Sequence, residues 1–273
     1  MRAATDSSSN EPSARMRQEK DQSHSALADT GGKVRLFVDS PLAQGAKIAT
    51  TAAQAHYLIH VMRARAGASL LLFNGKDGEW RARIGEIARK GVVLACEEMT
   101  EPQAEPPDLW LAFTPIKKTP ADYVAQKATE LGVRALAPVI TRRTVVRRVN
   151  IERMYANAVE AAEQSGRHSV PDVREPVSLE ALLEGWPPTR RLVFCDEAGD
   201  AAPMADALKG AREPPSPWGV LTGPEGGFDP AERTLIRRHP FVIPVSLGPR
   251  IVRADTAALA ALAVWQALLG DWR

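Results

Sequence analysis

The sequence has little of the residues on which metal centres and disulfide frameworks depend. It contains two cysteines in 273 residues, Cys96 and Cys195, and each lies in an apolar, strand-like stretch. No CxxC pair and no cysteine–histidine cluster accompanies them, which argues against both a zinc site and a disulfide scaffold. We therefore expect no metal, and two buried thiols fit the reducing conditions of the cytoplasm.

Long apolar runs are also missing. The longest, residues 257–269, is too short to span a bilayer. Residues 1–32 are rich in Ser, Asp, Glu and Gln and lack the apolar segment of a signal peptide. Because such a segment cannot offset its ordering entropy by burial, we expect a disordered tail. These features predict a cytoplasmic protein without a membrane partner.

Neither the net charge nor the aromatic content indicates a nucleic-acid partner. The formal net charge is +2 and aromatic residues make up 5%, so an aromatic stacking platform for RNA bases is not expected. Positive charge is nevertheless clustered, and the clusters comprise Arg142, Arg143, Arg147 and Arg148, and in the first third Arg63, Arg65, Arg81, Arg83, Arg89 and Lys90. Such clusters are typical either of solvated faces or of a path for nucleic acid.

The segment Glu101-Pro-Gln-Ala-Glu-Pro-Pro-Asp108 predicts a domain boundary, since it offers nothing to a core. Before it, alternating strand patterns, hairpin-type turn residues and one helix at 53–62 predict a small β-barrel over 33–102. After it, strands at 109–113, 136–140, 192–195, 220–222 and 241–247 alternate with helices at 121–131, 151–164, from 229 and at 256–269. The helix from 229 starts with Asp229 as N-cap, Pro230 at the first position and Glu232 at the third. The alternation of strands with helices predicts a mostly parallel α/β domain over 109–273.

Two loops that follow strands of this second domain predict a ligand site. They are Leu221-Thr-Gly-Pro-Glu-Gly-Gly-Phe228 and Leu247-Gly-Pro-Arg-Ile-Val-Arg-Ala-Asp-Thr-Ala257. Ligands of open α/β sheets bind beyond the carboxyl ends of strands, and glycine lets the backbone approach them closely. Neither loop matches a Walker A or a GxGxxG motif. On residue type alone, tight turns explain the glycines as well as a ligand site does.

These motifs, in this order, resemble the ribosomal RNA small subunit methyltransferase E family of the SPOUT superfamily. The resemblance extends over residues 33–272 and includes the two loops together with Lys127-Ala-Thr-Glu-Leu-Gly-Val133, Glu163-Gln-Ser-Gly-Arg167, Arg35-Leu-Phe-Val38 and His56-Tyr-Leu…Val61-Met-Arg63. Departures are mild, with Asp255 where the family usually has Glu and Val252 where Leu is common.

The resemblance implies a PUA-like β-barrel domain followed by a SPOUT α/β domain with a trefoil knot. It also implies a homodimer that uses S-adenosylmethionine to methylate N3 of a uridine in 16S ribosomal RNA of the small subunit. The apolar residues on all sides of the last predicted helix fit a second buried face.

The resemblance and the residue chemistry together predict site residues. Arg253 is expected to stabilise charge on the uracil, or else to pair with Asp255 or Glu225. Glu225 would take the N3 proton or bind the cofactor, or else order its loop; Thr256 fits an N-cap first. The predicted cofactor residues are Leu221, Thr222, Gly223, Gly226, Leu247, Gly248, Ile251, Thr256 and Ala257. The predicted RNA contacts are Arg35, Arg63, Lys127 and Arg167, the last with a surface role as the alternative.

Two other functions stay open at this point. The same fold could methylate a ribose 2′-oxygen, which the blocks at 127–133 and 163–167 disfavour. A non-catalytic RNA-binding or assembly factor would have no use for two intact glycine loops, and a cofactor titration separates it from either enzyme.

Overall fold

The computed structural model describes residues 34–88, 91–116, 118–146, 148–197, 200–211 and 217–272. The predicted tail at 1–32 and three basic residues of the clusters, Arg89, Lys90 and Arg147, lie outside this part of the chain. The chain divides into two compact units between Pro102 and Gln103.

The first unit is built on a five-stranded sheet. Its elements are β1 (Arg35–Phe37), β2 (Lys47–Ala49), α1 (Ala52–His56), a π-helical turn (Tyr57–Val61), β3 (Ser69–Phe73), β4 (Glu79–Ala88) and β5 (Gly91–Glu101). The strand order is β1-β3-β4-β5-β2, with β1 parallel to β3 and the other pairs antiparallel. Alternate strand residues such as Leu70, Leu72, Leu94 and Cys96 form its core.

The single helix predicted at 53–62 is divided. A capping box between Thr51 and Gln54 starts α1, and after five residues the chain continues as a π-helical turn. Arg63 follows with φ of 53°, a left-handed conformation that is uncommon for a residue with a Cβ. Such turns occur often at functional sites.

The second unit contains a parallel sheet. Its elements are β6 (Leu109–Phe113), α2 (Lys118–Glu130), β7 (Ala135–Ile140), α3 (Ile151–Ser165), β8 (Asp172–Val173), β9 (Val177–Ser178), α4 (Leu179–Glu184), β10 (Arg191–Cys195), α5 (Met204–Ala207), β11 (Trp218–Thr222), α6 (Pro230–Arg237), β12 (Val242–Val245) and α7 (Ala254–Leu269). The strand order is β12-β10-β11-β6-β7-β8, with β9 beside β7, and all of these pairings are parallel.

The strand order determines which loops come together to form a site. From β6 the chain moves to β7 and β8 on one side, and later to β10, β11 and β12 on the other. Because all these strands run in one direction, the segments after β10, β11 and β12 emerge together at one edge of the sheet, where ligands of such sheets bind.

The last helix starts earlier than predicted. Arg253 is the N-cap residue and makes no side-chain cap hydrogen bond, so the prediction that Thr256 is the N-cap is wrong. Thr256 lies inside the first turn, where its backbone N–H donates to the carboxylate of Asp255 over 2.8 Å.

Helix α7 is buried on the side that faces the sheet and α2. Ala258, Ala261, Leu262 and Trp265 are in the core, and Gln266 donates through Nε2 to the carbonyl of Leu131 over 2.6 Å. This bond fixes α7 against the end of α2. No helix among the described residues is both long enough and apolar enough to cross a lipid bilayer.

Candidate active site

A cavity of about 460 Å³ lies at the carboxyl ends of β10, β11 and β12. Its walls come from the ends of these three neighbouring strands and comprise Cys195, Asp196 and Glu197; Gly223, Pro224, Glu225 and Gly227; and Ser246 to Val252, with Ala201, Pro203, Ala254 and Ala257 completing the lining. Its volume is in the range of about 300–1,000 Å³ that small-molecule sites occupy.

The structure brings five of the predicted cofactor residues to this cavity, namely Gly223, Leu247, Gly248, Ile251 and Ala257. Leu221 and Thr222 instead are buried within β11, and the Thr222 carbonyl accepts the backbone N–H of Thr114 over 3.2 Å. Leu221 and Thr222 therefore support the loop after β11 from within the strand that precedes it. Gly226 and Thr256 lie on adjoining backbone outside the lining.

The segment after β10 forms a third wall that sequence reasoning missed. Glu197 accepts the backbone N–H of Phe228 through Oε1 over 3.3 Å, and a Cβ on Gly227 would meet that oxygen. Gly227 also has φ of +66°, a conformation that favours glycine, and a Cβ there would push the Glu197 carboxylate aside. The signal in the sequence was a polar Asp-Glu pair directly after the apolar strand.

A buried carboxylate ties the same segment to α6. Asp196 accepts hydrogen bonds from Nε of Arg233 and from Nε of Arg237, each over 2.8 Å. Its side chain has no exposed surface. Beside it, burial raises the pKa of the Cys195 thiol to about 12. Cys195 is therefore protonated at neutral pH, and it contributes packing rather than a thiolate nucleophile.

The two predicted catalytic residues are both exposed, but Arg253 is not part of the cavity lining, although its neighbours Val252 and Ala254 are. Glu225 lines the cavity, and the loop-ordering role considered for it belongs to Glu197. Arg253 is exposed at the N-terminus of α7, and its side chain makes no ion pair or hydrogen bond with a described residue. The pairing with Asp255 or Glu225 considered above does not form in the described part of the chain.

A basic turn packs against the other side of the loop after β11. In this arginine turn, residues 141–144, the Thr144 hydroxyl accepts the Thr141 N–H over 2.7 Å. Arg143 at its tip donates through Nη1 to the carbonyl of Gly226 over 2.8 Å. The exposed guanidinium groups of Arg142 and Arg143 therefore lie beside the cavity.

Two of the predicted RNA contacts have intramolecular partners instead. Arg35 forms an ion pair with Glu79, Nε to Oε2 at 2.7 Å, and both side chains are about nine-tenths buried. Arg167 donates to the carbonyls of Thr129 and Val133 over 2.7 and 3.0 Å, and burial lowers its pKa to about 10. Both guanidinium groups are therefore engaged within the protein.

The other two predicted RNA contacts are more accessible. Arg63 is exposed after the π-helical turn, and Lys127 is half-buried on α2. Lys127 forms an ion pair with Glu130 at 2.7 Å, a hydrogen bond that raises its pKa. Among the described residues, no three His, Cys, Asp or Glu side chains form a group that could hold a metal.

Comparison with known families gives the class of this protein. A family model described as RNA methyltransferase domain matches residues 103–266, and one described as RNA methyltransferase PUA domain matches residues 50–95. The parallel sheet and its cavity lie within the first of these matches. The fold and the site are thus those of an RNA methyltransferase.

Individual relatives narrow the class. The chain is 34% identical to the ribosomal RNA small subunit methyltransferase E of Synechocystis over 92% of this chain and 82% of the relative. It is 30% identical to that of Rickettsia conorii, over 84% and 93%. The chain belongs to the ribosomal RNA small subunit methyltransferase E family.

A solved structure of the same family has the same fold. The Neisseria gonorrhoeae ribosomal RNA small subunit methyltransferase E, bound to S-adenosyl methionine, superposes with a TM-score of 0.77 at 28% identity, over 88% of this chain and 99% of that one.

Proposed function

We propose that this chain uses S-adenosylmethionine to methylate N3 of a uridine in 16S ribosomal RNA. The observation that carries the proposal is the cavity at the ends of β10, β11 and β12, which is lined by both loops that resemble the family signature. The S-adenosyl methionine bound to the Neisseria relative supports the same cofactor here.

The cavity fits such a cofactor in chemistry as well as in size. Apolar side chains such as Leu247, Ile251 and Ala257 offer a surface for an adenine ring, and the backbone of Gly223 lines the cavity beside them. When bound, S-adenosylmethionine supplies a methyl group already activated by its sulfonium.

The protein must then orient the acceptor nitrogen and deal with its proton. A uracil that loses the N3 proton carries negative charge on O2 and O4. Arg253 can donate to these oxygens because its guanidinium is exposed and stays charged. Glu225, on the opposite loop of the same cavity, is the carboxylate we propose either to take the proton or to hold the cofactor's hydroxyls.

We propose that exposed basic residues of each unit contact the RNA separately. Arg142 and Arg143 lie beside the cavity, with Arg148 following on the same segment. In the first unit Arg63 and Arg65 extend beyond the π-helical turn. Lys127 completes the set on α2. Basic side chains of this kind neutralise phosphates without reading sequence.

The finer architecture is also part of the proposal. We propose a PUA-like β-barrel over 33–102 and a SPOUT domain with a trefoil knot over 109–273, a topology that is rare among proteins. Because its substrate is the small ribosomal subunit, we place the enzyme in the cytoplasm.

The substrate is tested by methyl transfer from labelled cofactor to small subunits and to free 16S RNA, followed by nucleoside analysis. We expect label on uridine N3, with assembled subunits preferred over naked RNA. Binding should weaken steeply with salt because each neutralised phosphate releases counterions. Label on ribose, or on transfer RNA alone, would move the chain to the 2′-oxygen function, and a folded protein that binds no cofactor would leave an assembly factor.

A homodimer is proposed from α7. Beyond its buried side, the helix has further apolar residues that are only half-buried, among them Leu259, Ala260 and Ala263. A second copy would cover them. Light scattering at micromolar concentration should give twice the chain mass, whereas a stable monomer with full methyl transfer would contradict the dimer.

The cofactor loop gives a prediction with an internal control. In Gly223→Ala the new Cβ would lie 2.5 Å from Cε2 of Phe228, a buried ring that packs edge-on against Phe194. Overpacking of this kind costs about 1–3 kcal/mol of stability. Because the loop backbone must move to relieve the clash, we also expect cofactor affinity to fall about tenfold. Calorimetry with the cofactor measures the loss.

Gly226→Ala is the matched control on the same loop. Its Cβ would meet only Cδ of Arg143 at 3.8 Å and Cβ of the same residue at 3.9 Å, which are ordinary contacts, so cofactor affinity should stay near that of the wild type. Equal losses in the two variants would show that the loop responds to any side chain rather than to the clash with Phe228.

A further inference from the structure

A buried carboxylate joins the arginine turn to the loop after β11. Glu232, at the third position of α6, is 3% exposed. Its Oε1 accepts the backbone N–H of Arg142 over 2.8 Å, and its Oε2 accepts the backbone N–H of Asp229 over 3.0 Å. One side chain therefore bonds two segments that are about 90 residues apart in the chain.

Half of this arrangement is ordinary helix capping. Asp229 is the N-cap of α6, and the bond from its N–H to Glu232 completes a capping box. The bond to Arg142 is not part of a capping box, because it reaches a different element. A capping box alone requires one acceptor, whereas here both carboxylate oxygens are used.

Three further contacts strengthen the same junction. Arg142 donates through Nη1 to Oδ1 of Asp229 over 3.1 Å. Arg143 donates through Nη1 to the carbonyl of Gly226 over 2.8 Å. Within the turn, the side chains of Thr141 and Thr144 are hydrogen-bonded to each other and buried. The turn has little freedom of its own, so its placement depends on what it is bonded to.

We propose that Glu232 is a positioning residue that fixes Arg142 and Arg143 beside the cofactor cavity for contact with the RNA. The inference rests on the proposed function, since it assigns a purpose to that site's basic turn. The cofactor loop has a separate support in Glu197, which accepts the N–H of Phe228 from the side of β10. Loss of the Glu232 bond should therefore affect RNA more than cofactor.

Glu232→Gln tests the proposal with little change of shape. A glutamine still caps the helix, but its side chain has one acceptor oxygen and an NH₂ donor, so one of the two backbone N–H groups loses its partner. We expect the KM for small ribosomal subunits to rise about tenfold, with the kcat at saturating subunits and the cofactor Kd little changed.

A double-mutant cycle with Arg143→Ala separates positioning from general stability. If Glu232 acts through the turn, Glu232→Gln should raise the KM less in the Arg143→Ala background, because one of the two contacts that it positions is already gone. Thr234→Ala serves as the control, since it removes a bond within the same helix, from Oγ1 to the Pro230 carbonyl, and should leave the KM unchanged.

The outcomes are distinct. An unchanged KM in Glu232→Gln overturns the proposal. So does a loss that appears equally in KM, cofactor Kd and Tm and adds fully to that of Arg143→Ala, since Glu232 would then be a helix cap alone. Failure of the proposed function would appear instead in the wild type, as the absence of methyl transfer to subunits.

Discussion

Arg253→Ala is expected to lower turnover about 10²–10³-fold, the usual cost of removing one preorganised donor to developing charge. The cofactor Kd and the Tm should stay near those of the wild type. The guanidinium is exposed and makes no ion pair or hydrogen bond with a described residue, and although Arg253 is the N-cap of α7, its side chain makes no cap bond. Its removal therefore costs the fold little.

Single-turnover kinetics with subunits and saturating cofactor measure this effect. Arg253→Lys should rescue little, because an ammonium cannot reproduce the guanidinium fork. Arg238→Ala, an exposed arginine at the end of α6, is the matched control. A near-normal rate for Arg253→Ala would remove Arg253 from the chemistry and leave the charge on the uracil to another donor.

Much of the second unit could be predicted because its local signals agree with its packing. Strands and helices alternate clearly, and the Asp229-Pro230…Glu232 pattern gave the start of α6 as the structure has it. Short strands such as β8 and β9 were not predicted. A strand of two residues has no hydrophobic periodicity by which it could be predicted. These two strands form only because β7 provides a strand to pair with.

Only part of the candidate site could be predicted, because the strand order is not visible in the sequence. Glycines marked the loops after β11 and β12, but nothing in the sequence says that β10 lies beside both. The wall formed by Asp196 and Glu197 follows from that strand order alone. Glu232 was predicted only as a helix cap, because its second bond is made to a residue far away in the chain.

The arginines show that the burial of a side chain could not be predicted from the sequence either. Sequence reasoning weighs their charge and their neighbours in the chain, and burial is not visible to it. Arg35 and Arg63 therefore received the same prediction, although the first lies against Phe73, with Cζ 4.6 Å from the ring centroid, and the second is exposed.

Arg35→Ala is accordingly expected to destabilise the first unit. It would leave Glu79 buried, with its Oε2 deprived of the bond from Arg35 and its Oε1 still accepting the Thr100 hydroxyl at 2.9 Å. Breaking a buried pair by removing one partner costs about 3–5 kcal/mol. Urea unfolding measures the loss, and Arg81→Ala is the control, since its pair with Glu98 is exposed and worth about 0–1 kcal/mol. If Arg35→Ala instead kept full stability and weakened only the binding of subunits, Arg35 would be an RNA contact after all.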